Sequence, residues 1–190
     1  MTPGHIFKAA ANFEFAANLL NADFGRRFAA ITKQLQEGYQ ATADNLPTME
    51  PHLVNSAFAL ELYFKSLIML ETGVAQKGHE LLKLCQAISN AKRIRIKELF
   101  DEIVTSSPHW VDMKSRFPSD QNSFEFPGVL ITANNAFAEW RYAFEGIKTA
   151  NQLLLFRPAL PATRKAILEM KPEWEALVDP TLREKKSEMS

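Results

Sequence analysis

The sequence predicts an all-α protein. Apolar residues recur at intervals of three and four along several long stretches, alternating apolar and polar strand patterns are scarce, and hairpin dipeptides such as Asn-Gly are absent. Neither an internal repeat nor a low-complexity block is present. At 190 residues the chain is long enough for one domain with a full core.

The first element follows from Ala9, Phe13, Ala16, Leu20, Phe24, Phe28, Ile31, Leu35 and Tyr39, which draw one apolar stripe along a helical surface. Asp23 and Gly25 can divide it into two helices, with Asp23 as N-cap of the second. A second helix starts near "TMEPHLVNS", where Thr48 or Glu50 can cap and Pro51 suits the first turn, and it runs to about Leu70 before Gly73. It is apolar nearly all round, as expected of a central helix covered on several sides.

"GHELLKLCQAI" reads as a short third helix, and "IKELFDEIV" as a fourth with Ile96, Leu99, Phe100, Ile103 and Val104 on one face. Residues 106–128 show no helical period and hold three prolines, so a long irregular connection is expected, often a functional feature. Its aromatics, Trp110, Phe117, Phe124 and Phe126, either pack onto the bundle or offer stacking surfaces for bases, and packing is the safer reading.

A further helix is expected over about Val129 to Gly146, with Leu130, Ala133, Phe137, Trp140 and Phe144 inward. "NQLLLFRPALP" can be a short extended segment, with Pro158 and Pro161 stopping regular structure. "ATRKAILEMKPEWEALV" forms a last amphipathic helix before a frayed polar tail.

Lys plus Arg and Asp plus Glu each number 22, so no net field draws the chain to nucleic acid or an acidic membrane. "AKRIRIK" (91–97) is read as a solvated helix end rather than a phosphate patch. The single cysteine, Cys85, cannot close an internal disulfide and reads as inert core. No secretory pattern opens the chain, and Glu61 and Lys65 interrupt the best candidate for a membrane span. A cytoplasmic protein without a membrane role is expected. Neither a phosphate loop, a nucleophile elbow nor a metal-ligand spacing is found, so no cofactor and no metal are expected.

The informative anomaly is "NSAFALELYFKSLIML" (55–70), the most apolar segment, with Glu61 and Lys65 in its middle. Four apart, they are helix neighbours in the favourable order, yet their face also holds Val54, Ala57, Phe58 and Ile68. Burying two charges costs several kcal/mol each unless they are paired. His79, following Gly78, is placed to face this helix, and Arg141 sits in a similarly apolar one. A cluster of Glu61, Lys65, His79 and Arg141 would account for all four. The competing reading is a solvated Glu–Lys pair with snorkelling stems and a His79 that merely caps its helix.

These segments, "SAFALELYFKSLIMLETG", "GHELLKL" and "FAEWRYAFE", in this order and spacing, resemble a HEPN domain (higher eukaryotes and prokaryotes nucleotide-binding) over roughly residues 50 to 146. The resemblance implies an up-and-down bundle of four to five core helices spanning 1–157, with 158–190 as a C-terminal helix and tail packed on the same domain. It implies a homodimer whose cleft holds Glu61, Lys65, His79, Arg141 and Tyr142, with Arg141 and Lys65 meeting phosphate and Glu61 and His79 orienting them. Nucleotide, RNA or a cognate antitoxin-type protein would be the partner, in a toxin–antitoxin or phage-defence setting.

One departure matters. Ribonuclease members carry an Arg followed by a His four to six residues on, and "YAFEGIKTANQ" after Arg141 contains no His. A non-catalytic member is therefore expected. A divergent metal-independent ribonuclease using His79 and Arg141, or a purely structural oligomeric scaffold, are the alternatives.

Overall fold

The structure is a computed structural model that describes residues 1–40, 50–116, 124–134 and 157–178. Among these it is an all-α helical bundle: α1 (Pro3–Gln36), α2 (Glu50–Thr72), α3 (Leu81–Ala87), α4 (Asn90–Ser106), α5 (Pro108–Arg116), α6 (Gly128–Thr132) and α7 (Ala159–Met170), followed by a 3-10 turn over Pro172–Leu177.

Thr2 caps α1, its hydroxyl accepting from the His5 N–H while the His5 ring reaches back to the Thr2 N–H, and Pro3 occupies the first turn. The helix then runs unbroken through Asp23 and Gly25, so the expected division does not occur. Asp23 pairs within the helix with Arg26 at 3.2 Å and Arg27 at 2.8 Å instead of capping a new one, and Gly25 faces open space.

α1 and α2 run antiparallel. The Ser66 hydroxyl donates to the Pro3 carbonyl at 2.9 Å, and ten residues along α1 the Phe13 ring meets Phe58 edge-on at 4.5 Å. α4 and α7 form a second antiparallel pair, clamped at one end by Arg95, whose Nε and Nη2 each donate to a Glu169 oxygen at 2.8 Å, and at the other by Lys165 and Glu102 at 3.3 Å. The 3-10 turn brings Trp174 back to α1, against Phe7 at 5.3 Å.

The core gathers around α2, where Leu53, Ala59, Leu60, Tyr63, Phe64 and Leu67 are essentially sealed. Pro51–Thr72 is long and apolar enough to cross a bilayer by length and composition, but it packs here as the central helix. The second half of α1 contrasts with this: Leu19, Leu20, Phe28 and Leu35 are exposed.

Two further expectations change. Residues 108–116, expected to be irregular, form α5; Pro108 stands at its first position, where a missing N–H costs nothing. Pro161 does not stop regular structure either, because it falls in the first turn of α7, where amide protons have no intrahelical acceptor. Pro172 does end that helix, splitting the last predicted element into an α-helix and a 3-10 turn. Phe124 and Phe126 are buried and Trp110 packs on the core, in agreement with the packing reading; Phe117 lies outside the described residues. α6 stops at Thr132 with Ala133 as its C-cap, so the helix expected from Val129 does not run on through Asn134. Leu130 and Ala133 are buried as expected, whereas residues 135–156, and with them Phe137, Trp140 and Phe144, lie outside the described residues.

Candidate functional site

The charges inside α2 are buried and paired. Glu61 is 1% exposed, and Lys65 Nζ donates to its Oε1 at 2.7 Å from a side chain that is 17% exposed. Glu61 also holds Nδ1 of His79, at 3.0 Å from Oε1 and 3.1 Å from Oε2, while the His79 side chain remains 64% exposed. The carboxylate therefore sits at the base of the cluster, one partner is covered with it, and the imidazole is the group that reaches the surface.

Local backbone explains how the pieces meet. Gly73 ends α2 with a φ of 73°, its N–H bonded to the Met69 carbonyl at 2.9 Å, and Gly78 takes a φ of 95° immediately before His79. Both values lie in the left-handed region that a Cβ disfavours. They turn the chain back so that His79 meets a carboxylate about three helical turns before the end of α2. His79 is not in the first turn of α3 as expected; it stands two residues before Leu81. The start of α3 is capped from elsewhere: Asn134 accepts from the Leu82 N–H through its side chain at 2.9 Å and from the Leu81 N–H through its carbonyl at 3.4 Å. Arg141 and Tyr142 lie outside the described residues. Glu61, Lys65 and His79 are brought together; Val54, Phe58 and Ile68 line the same helix as expected.

A second polar cluster was not anticipated. On another side of α2 the Tyr63 hydroxyl donates to Glu14 Oε2 at 2.7 Å, and Arg164 Nη1 stands 3.0 Å from the same oxygen in an ion pair. Tyr63 is fully buried and Glu14 nearly so. Burial, reinforced by the Glu14 charge, pushes the Tyr63 hydroxyl well above its ordinary range. Burial alone would lower the Arg164 guanidinium, but Glu14 and Tyr63 beside it outweigh that and hold it above its usual value. A signal for part of this cluster exists in the sequence: Glu14 follows Ala10 by four and precedes Ala17 by three, so it shares the buried stripe of α1.

Near this cluster, a cavity of about 310 Å³ opens between α1, α2, α4, α5 and α7. His52, buried on α2 one turn before the lining residue Ser56, has a ring Nδ1 without a hydrogen-bond partner. Burial, assisted by the charge of Arg157, pulls its imidazole down to about 4.

The basic run at the start of α4 is consumed by the fold. Lys92 pairs with Glu71, Arg93 donates to Asn90, Arg95 grips Glu169 and Glu98, and Lys97 pairs with Asp101. Cys85 is buried, and desolvation raises its thiol to about 11, as expected for an inert core cysteine. Among the described residues no three His, Cys, Asp or Glu side chains stand close enough to hold a metal ion.

Comparison with family models, with curated proteins and with solved structures returns no match.

Proposed function

We propose that this chain is a HEPN-like helical module, cytoplasmic and non-catalytic, that binds a nucleotide, an RNA or a protein partner at the cluster on α2 and the α2–α3 turn. The observation that carries this reading is the Glu61–His79 contact, in which a sealed carboxylate fixes an exposed imidazole. A buried ion is worth its desolvation cost only where it is fully paired. Lys65 supplies the charge balance for Glu61, so His79, and not Lys65, is the group that meets the phosphate. With Nδ1 held by Glu61, the exposed imidazole is presented to a ligand in a fixed direction.

A homodimer fits the same reading. The second half of α1 carries Leu20, Phe24, Phe28, Ile31 and Leu35 at three- and four-residue spacing, and Leu20, Phe28 and Leu35 are exposed. A second copy of this chain would cover that stripe. Phe28→Glu is expected to leave the fold intact and shift the molar mass measured by light scattering from dimer to monomer.

The ribonuclease reading has one observation in its favour. A carboxylate on Nδ1 selects the tautomer whose Nε2 accepts a proton, which is the arrangement a general base needs. Fluorescence anisotropy with a labelled single-stranded RNA, followed by gel analysis of the same sample in EDTA, separates the two. A binding module gives saturable anisotropy that His79→Ala weakens, with the RNA intact. A cleaved RNA that becomes intact with His79→Ala establishes the nuclease, and no RNA or nucleotide binding to either protein removes the nucleic-acid reading.

A further inference from the structure

The cavity on the far side of α2 from Glu61 has an unbalanced charge. Two guanidinium groups, Arg157 and Arg164, line it together with one carboxylate, Glu14. Arg164 is committed to Glu14 at 3.0 Å, and the Glu175 charge also acts on it from outside the lining, so the group left without a carboxylate is Arg157. Among the described residues no carboxylate stands within ion-pairing distance of Arg157, and burial lowers the pKa of its guanidinium with no neighbouring charge opposing the shift.

His52 does not relieve this excess, since it is sealed and held neutral at ordinary pH, and its Nδ1 finds no partner among the described residues. Arg157 is partly covered at the cavity wall, so its guanidinium faces the cavity without a carboxylate partner among the described residues. A ligand that brings a negative group completes the arrangement.

The rest of the wall describes the ligand's body. Trp110 is half-buried, with the His109 ring edge-on at 4.9 Å, so an aromatic surface flanks the opening. Ser56, from α2, adds a hydroxyl. A volume of about 310 Å³ lies at the small end of the range for ligand pockets, room for one ring and its head group rather than a polymer.

We propose that this cavity binds a small molecule consisting of a flat ring and a single anionic head, a carboxylate or a phosphate monoester. Arg157 meets the head and Trp110 the ring. The site is separate from the α2–α3 cluster and stands or falls independently of the function proposed there.

Benzoate, phenyl phosphate and neutral phenol are the probes, followed by calorimetric titration and thermal unfolding of the full chain. One or both acids are expected to bind saturably and raise the Tm, the stronger of the two identifying the head group, while phenol does not. Arg157→Gln is expected to weaken binding at least about tenfold, the loss that a charge-assisted contact implies. His109→Asp places a like charge at an exposed position on the rim and is expected to weaken binding without disturbing the fold, which keeps the test decisive if Arg157→Gln proves unstable. His79→Ala should leave the titration unchanged. Absence of saturable binding of either acid, equal binding of phenol, or an unchanged affinity in the rim and Arg157 variants would overturn the assignment.

Discussion

Glu61 and Tyr63 are two residues apart on α2, which turns their side chains about 200° from one another around the helix. Each takes part in a cluster built on one buried carboxylate, Glu61 itself in the first case and Glu14 in the second. The clusters end differently. Around Glu14 both partners, Tyr63 and Arg164, are largely covered, so the network closes inside the protein. Around Glu61 one partner is covered and the other, His79, is mostly exposed. A closed network fixes how α1, α2 and α7 pack. An open one carries an internal charge toward an exposed side chain, which is the feature on which the function proposed for the α2–α3 cluster rests.

The contrast is open to direct attack, and the largest effect belongs to the closed cluster. Arg164→Ala leaves the Glu14 carboxylate buried with only the Tyr63 hydroxyl, and a loss of about 3–5 kcal/mol is expected in urea unfolding at neutral pH. A loss below about 1 kcal/mol would show that Glu14 reaches water and that the network is not closed.

An effect of about 3 kcal/mol is expected from pH on the same side of α2. His52 takes up a proton near 6.5 when unfolded but only near 4 when folded. The unfolded state thus binds the extra proton first as the pH falls. The His52 contribution is complete above pH 6.5 and is lost progressively between 6.5 and 4. Unfolding free energies measured across that window should fall with pH, and His52→Asn should flatten this part of the profile.

The smallest effect is expected at the open cluster. Because the His79 ring is largely solvated, His79→Ala should cost under about 1 kcal/mol of stability, while abolishing or weakening ligand binding. A large stability loss with binding unchanged would place His79 among the structural groups, alongside Arg164.

The sequence disclosed the open cluster and concealed the closed one for a physical reason. Glu61 and Lys65 lie within a single helix turn, where i,i+4 spacing and an apolar background make two charges conspicuous. Glu14, Tyr63 and Arg164 come from three helices, and their meeting depends on how those helices pack. Periodicity located α2, α3 and α4 because their apolar positions repeat regularly. It missed α5, whose face is short and polar and whose initial proline resembles a breaker. Pro161 misleads for the same reason: a proline's effect depends on its place within the helix, and in the first turn it is harmless. The uninterrupted course of α1 past Gly25 was likewise beyond reach of local propensity, since one glycine costs a helix only about 1 kcal/mol.

That course has a consequence for backbone protection. The first four turns of α1 are clamped against α2 and Trp174, so their amides can exchange with solvent only when the whole bundle opens. The last turns lack such cover, and a free-standing stretch of that length is marginal as a helix on its own. One continuous rod thus spans both slow and fast deuterium uptake, and the steepness of that gradient would report on whether a second subunit covers its distal end.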